Sequence, residues 1–187
     1  MKKTLPLLFL GFFAIATSAQ EDQELTTYFA EKAKFRIDFP DTWNTNVSEV
    51  KSLLGYGTSI ISSDLKEEGT NVIVLSGVGC KSPESFGKSY KKVFERGAKK
   101  NNDTSFRIND EGLTPDQDGK KYYWLDYIHT LVLDDGRKIV LREFFVTRCH
   151  YAGLNKYSNT FRFQTKEENW DTNKPLFDKI YSTARFE

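Results

Sequence analysis

The stretch 122-YYWLDYIHTLVLDDGRKIVLREFFVTRCH-150 decides how this chain folds. Two long runs rich in β-branched and aromatic residues, Tyr122 to Leu133 and Lys138 to His150, meet at Asp135-Gly136. That dipeptide suits a two-residue type I′ turn, where both central positions take positive φ. The stretch therefore predicts a long antiparallel hairpin over 122–150. A literal two-residue turn sets Tyr127 opposite Phe144 and Ile128 opposite Glu143. Tyr123, Leu125, Tyr127, His129, Leu131 and Leu133 then share one face with Val140, Arg142, Phe144, Val146 and Arg148. Tyr122, Trp124, Asp126, Ile128 and Val132 share the other with Ile139, Leu141, Glu143, Phe145 and Cys149. Both faces are largely apolar, so both need cover, and helices are expected above and below the sheet.

Upstream, Phe35, Ile37 and Phe39 alternate with Lys34, Arg36 and Asp38, a strand that Pro40 ends by lacking a ladder donor. Asp41-Thr42-Trp43 then begins a connection, with Trp43 expected to fold back over the sheet as a packing residue. Two β-branched runs, 58–61 and 71–78, flank a polar stretch and read as a second hairpin. Ser82-Pro83-Glu84 combines a hydroxyl cap, Pro at the first helical position and an acid in the first turn, a helix start. Phe86, Tyr90, Val93 and Phe94 form the buried stripe of that helix. Lys88, Lys91, Lys92, Arg96, Lys99 and Lys100 form its solvated face. Phe106 and Ile108 mark a short strand before a polar loop over 109–119, and Tyr157 to Phe163 a further strand. Asn173 with Pro175 begins a second helix with Leu176, Phe177, Ile180 and Tyr181 inward. No repeat or linker divides this text, so residues 20–187 are expected to form one domain.

The N-terminus says where the chain works. Lys2 and Lys3 precede an apolar run from Leu5 to Ala16, and Thr17-Ser18-Ala19 provides small residues for a cut. This reads as a secretory signal over 1–19, too short for an ordinary membrane span, and implies a periplasmic or secreted mature chain. Cleavage leaves 168 of the 187 residues, with 25 basic side chains against 26 acidic ones. So near-neutral a balance argues against a nucleic-acid or membrane-surface binder. Cys80 and Cys149 are the only cysteines, and neither follows the signal to take a lipid. In an exported chain they form either one disulfide or two buried free thiols, and the sequence leaves both readings open.

Catalytic signatures are missing from the text: no G-x-S-x-G, H-E-x-x-H, C-x-x-C or glycine-rich phosphate loop occurs. His129 and His150, the only histidines after the signal, lie on the order of 26 Å apart in the inferred register, at roughly 3.3 Å per residue. No catalytic metal and no cofactor is expected on that ground. Cys149 and His150 point to opposite faces of one strand and do not make a thiolate–imidazole pair. Asp116-Gln117-Asp118-Gly119 is a turn, since a calcium loop also needs acids at its first and twelfth positions. Asp126 and Glu143 are diagonal neighbours, about 7–8 Å apart, and form a carboxylate pair. They carry the rival reading, a small hydrolase or lyase. On the first hairpin face Tyr123, Tyr127, His129, Arg142 and Arg148 mix aromatic and cationic character and make the candidate binding site.

Phe35-Arg36-Ile37-Asp38-Phe39-Pro40 followed by Trp43 resembles the opening strand and Pro-x-x-Trp turn of the PsbP-like superfamily. The helix start Ser82-Pro83-Glu84-Ser85-Phe86 and the closing Phe177-Asp178-Lys179-Ile180-Tyr181-Ser182 resemble the same pattern, over about residues 27 to 186. The resemblance implies an α+β fold, an α-β-α sandwich with a central, mainly antiparallel sheet. The superfamily includes an extrinsic photosystem II subunit, a nuclear-import factor that binds the GTPase Ran, and exported bacterial proteins. It thus implies an exported non-enzymatic binding or accessory module, its partner a protein or small ligand of the cell envelope. The matching positions Phe39, Pro40, Trp43 and Phe86 are fold determinants, so no functional residue carries over.

Overall fold

The structure, a computed structural model, describes residues 24–31, 34–52, 55–115, 119–152 and 154–186. The expected signal, 1–19, and the turn acids Asp116 and Asp118 lie outside the described residues. In chain order the elements are β1 Leu25–Ala30, β2 Phe35–Pro40, β3 Asn44–Ser52, β4 Gly55–Ser63, β5 Asn71–Val78 and α1 Pro83–Lys100. Then follow β6 Arg107–Pro115, β7 Lys121–Val132, β8 Lys138–Ala152, β9 Asn155–Lys166, a 3-10 turn Glu167–Asn169, α2 Trp170–Thr183 and β10 Arg185–Phe186. One antiparallel sheet of seven strands runs β3-β4-β5-β9-β8-β7-β6, and a second of three strands runs β1-β2-β10.

This architecture corrects the expected α-β-α sandwich. Strands dominate, and the two helices do not form complete outer layers. α1 packs on β7 and β8, while α2 packs on β9 and β2. Much of the layer opposite α1 is the small sheet itself, because β2 recruits β1 on one edge and the chain's last strand on the other. The strand Phe35–Pro40 carries Phe35, Ile37 and Phe39 fully buried, as its alternation requires.

The long hairpin forms, but one residue out of the expected register. Asp134, Asp135 and Gly136 make a three-residue loop, closed by Leu133 N–H to Arg137 O at 2.9 Å and Gly136 N–H to Leu133 O at 2.9 Å. Gly136 takes φ +82°, the left-handed residue that follows a type I turn in such loops. Tyr127 consequently faces Glu143, and Ile128 faces Arg142. A one-residue slip exchanges the faces of a whole strand relative to its partner. Odd-numbered residues of β7 and β8 now point to α1, and even-numbered ones to the opposite layer.

Two cores result. The smaller, under α1, gathers Tyr123, Leu125, Tyr127 and Phe145 against Tyr90, Phe94, Phe106 and Ile108. α1 begins where its cap dictates: Ser82 Oγ accepts the Ser85 N–H at 3.1 Å, and Pro83 occupies the first turn. Gly87 lets the helix sit close, since a Cβ there would lie 1.9 Å from the Tyr123 ring. The larger core fills the other side with Phe35, Ile37, Phe39, Trp43, Ile60, Val74, Val146, Phe161, Trp170, Phe177 and Ile180. Trp43 is 5% exposed, a packing residue whose chain turns back at Pro40.

Three further boundaries differ from the sequence reading. The connection after Trp43 is the strand β3, polar because both its faces meet solvent. The polar loop expected over 109–119 is largely β6, an edge strand bulged between Ile108 and Asp110. α2 starts at Trp170, ahead of Asn173, and carries Pro175 inside. Between the two readings of the cysteines the structure decides. Cys80 and Cys149 are bonded, their Cα atoms 5.9 Å apart and 69 residues apart in sequence, tying the approach to α1 onto β8.

Candidate functional site

Beneath α1 lies an ionic cluster. Glu143 is 0% exposed, on the α1 face of β8 directly opposite Tyr127. Arg162 on β9 reaches it diagonally and donates two hydrogen bonds, Nε to Oε1 at 2.7 Å and Nη2 to Oε2 at 2.8 Å. His129 Nε2 stands 3.7 Å from Glu143 Oε2. The Arg162 guanidinium also lies 5.6 Å from the centre of the Phe94 ring on α1. Burial by itself raises the Glu143 carboxyl. The Arg162 bonds, helped by His129 and Tyr127, outweigh it and hold the group at about 2. Burial and the Glu143 charge push the Tyr127 hydroxyl well above its ordinary range. The cluster pairs a fully buried carboxylate with a partly exposed arginine and histidine, a strut between sheet and helix.

On the opposite face a second ion pair sits nearer solvent. Arg142 Nε and Nη2 donate to Asp126 at 3.0 and 2.6 Å. Asn109, the bulged residue of β6, adds a bond from Nδ2 at 3.2 Å. The Asp126 carboxylate raises the Arg142 guanidinium above its usual range. Trp170, first residue of α2, receives that guanidinium 4.6 Å from its ring centre.

Farther along the same face Tyr122, Trp124 and Phe144 pack against the margin of the large core. A half-buried aromatic shelf is left there. Trp124 lies over Gly112 of β6, where a Cβ would come within 2.8 Å of its ring, and its Nε1 donates to Thr114 at 3.1 Å. Phe144 stacks beside it at 5.8 Å between ring centres, with the Lys174 ammonium 5.6 Å from the Phe144 ring. Tyr122 is paired with Arg148, whose guanidinium covers the Phe186 ring at 4.0 Å. A cavity of about 20 Å³, lined by Phe144, Phe163, Lys174, Phe177, Asp178 and Tyr181, opens at the foot of α2 and has room for about one water.

The five residues expected to form one site are thus divided. Tyr123, Tyr127 and His129 point under α1; Tyr123 is buried there and donates its hydroxyl to Glu111. Arg142 and Arg148 point the other way, and only Arg148 reaches the shelf. The proposed neighbourhood of His129 with Arg142 does not form, because the extra loop residue reversed the relation between the strands. For the same reason the carboxylate pair is corrected: Asp126 and Glu143 occupy opposite faces, each bound by its own arginine. The sequence reading missed Arg162 and Trp124. Arg162 is remote in sequence from Glu143 and has no local spacing to mark it. Trp124 was placed on the hairpin, but its partners depend on the register. Among the described residues no three His, Cys, Asp or Glu side chains converge as a metal site. No helix among them is long and apolar enough to cross a membrane.

Two antiparallel sheets packed through one aromatic core, with α1 over the long hairpin, define a PsbP-like fold. Among solved structures of similar shape is the solution structure of cyanobacterial PsbP (CyanoP) from Synechocystis sp. PCC 6803. The TM-score is 0.62 at 21% sequence identity, over 90% of this chain and 96% of that one. The sequence matches no protein-family model and no curated protein. The disulfide fits an extracellular or periplasmic location.

Proposed function

We propose that this chain is an exported, non-enzymatic accessory module that binds a protein or small ligand of the cell envelope. Residues 1–19 serve as its secretory signal, 20–187 as its single domain, and the mature chain is periplasmic or secreted. The observation that carries the reading is the aromatic shelf of Tyr122, Trp124 and Phe144 with Arg148 and Lys174 at its margins. Half-buried aromatic rings beside cations offer apolar contact area, stacking faces and charge together, the composition of binding hot spots. The PsbP-like fold supports it, as a scaffold associated with accessory and binding roles. Both carboxylates of the rival reading are held by arginines, with no shared space for a substrate.

A photo-crosslinking residue in place of Tyr122, expressed in the source cell, tests this. A discrete covalent adduct is expected there and none from the same residue in place of Val93 on α1. The double variant Trp124→Ala, Arg148→Glu should abolish capture of that adduct's partner by the purified domain. Capture unaffected by the double variant, with thermal unfolding unchanged, would refute the shelf as the binding site.

A further inference from the structure

The β8–β9 hairpin outruns its neighbours. β7 pairs with β8 as far as Tyr122 and Arg148, and β5 pairs with β9 as far as Val78 and Tyr157. Beyond them Tyr151 pairs with Lys156 and Ala152 with Asn155, two strands on their own. Gly79 N–H to Lys156 O at 2.7 Å and the Cys80–Cys149 bond secure the root of this tip. Its end carries apolar surface, with Leu154 103% exposed and Tyr151 69%. Cations ring the root. The Lys156 ammonium lies 5.5 Å from the centre of the Tyr151 ring and reaches Lys81 O at 3.5 Å. Lys81 follows the disulfide, Lys120 and Lys121 lead into β7, and all three are exposed. Glu84, the carboxylate beside Lys121, is bonded to Lys88. Glu31 and Lys34 of the β1–β2 turn, brought to this end by Phe35 and Phe186, balance each other. The chain as a whole is near neutral, yet this end carries a local excess of positive charge.

We infer that the β8–β9 tip attaches this chain to the surface of an anionic bilayer. Leu154 and the Tyr151 ring enter the interface, while Lys81, Lys120, Lys121 and Lys156 meet the headgroup phosphates. The shape favours a bilayer over a folded partner, because a convex two-stranded tip enters a soft apolar layer without needing a matching pocket. A tyrosine ring with a lysine over it is apolar on one side and wet on the other, the pairing that suits the headgroup level. The cations complement the phosphate charge and supply what a single leucine and tyrosine lack in buried area. Two weak signals acting together give a reversible attachment that salt weakens.

The mature chain should float with vesicles of phosphatidylglycerol and phosphatidylcholine in equal parts at low salt, and hardly at all with phosphatidylcholine alone. Leu154→Asp should lower binding roughly tenfold, and Lys81→Gln combined with Lys121→Gln by a similar factor. Thermal unfolding of these variants should match wild type, since the altered side chains are exposed. Leu65→Asp, equally open to solvent but at the opposite end of the sheet, should leave binding unchanged. Leu154→Trp should shift its emission to shorter wavelength on the anionic vesicles and be quenched by brominated acyl chains. Failure to float with the anionic vesicles overturns the inference, as does equal binding to both kinds. Binding that Leu154→Asp leaves intact, or that Leu65→Asp lowers as much, also overturns it. A chain that binds no vesicle but crosslinks from position 154 to an envelope protein assigns the tip to a protein partner and overturns it too. The shelf reading stands or falls separately, since its partner is captured by the purified domain without lipid.

Discussion

Replacing Glu143 by Gln removes the charge of the cluster under α1 while keeping its shape. Arg162, its side chain 24% exposed, then holds its guanidinium against a neutral amide that is itself fully buried. The magnitude follows from the carboxyl itself, which sits at about 2 in the fold against an ordinary value of 4.5. At about 1.4 kcal/mol for each tenfold, the charged form contributes about 3 kcal/mol at neutral pH. Loss of one partner from a buried pair costs a similar amount, about 3–5 kcal/mol. For a domain of this size that lowers the melting temperature by about 6–12 °C. The sign of the pH dependence is set by the lowered carboxyl. Its contribution is complete above about pH 4.5 and fades as pH falls toward 2. Urea unfolding of wild type and Glu143→Gln should therefore differ by about 3 kcal/mol at pH 7, and by about half that at pH 3. The double variant Glu143→Leu, Arg162→Met should recover most of the loss, because an apolar replacement leaves no unpaired charge. A difference below about 1 kcal/mol at pH 7, or one unchanged between pH 7 and pH 3, would refute the account of this cluster.

Gly87→Ala should destabilise by about 2 kcal/mol in thermal unfolding, because the new Cβ meets the Tyr123 ring at 1.9 Å. A gain in stability, the usual effect of that change in an open helix, would show that α1 does not sit so close. Replacing Cys80 and Cys149 together by Ser should cost about 2–4 kcal/mol, and a reductant should produce the same fall in wild type. A reductant without effect on the melting temperature would show that the bond does not hold α1's approach to β8.

Much of the fold was legible because its causes are local. Ser82-Pro83-Glu84 starts α1 by capping and by the fixed φ of proline, whatever surrounds it. The alternation of Phe35, Ile37 and Phe39 makes a half-buried strand in any sheet, and Pro40 ends it in any context. The long hairpin was visible as two β-rich runs about an Asp-Gly pair. The shape of its turn was not. Asp-Gly serves a two-residue turn and a three-residue loop equally well, with the glycine left-handed in both. The choice falls to burial: only the observed register places Tyr127 and Phe145 under α1 and Val146 in the large core. From that single residue of slip follow the separation of Asp126 from Glu143 and the division of the five candidate site residues. The tertiary structure alone also supplied β3 and β10, whose sequences are polar or very short and become strands only where β4 and β2 offer them an edge. It alone brought Arg162 to Glu143 and set Trp124 flat on Gly112. Capping, proline and alternation act within a few residues of chain and can be read from it, whereas register and charge pairing are settled by which faces the packed layers bury.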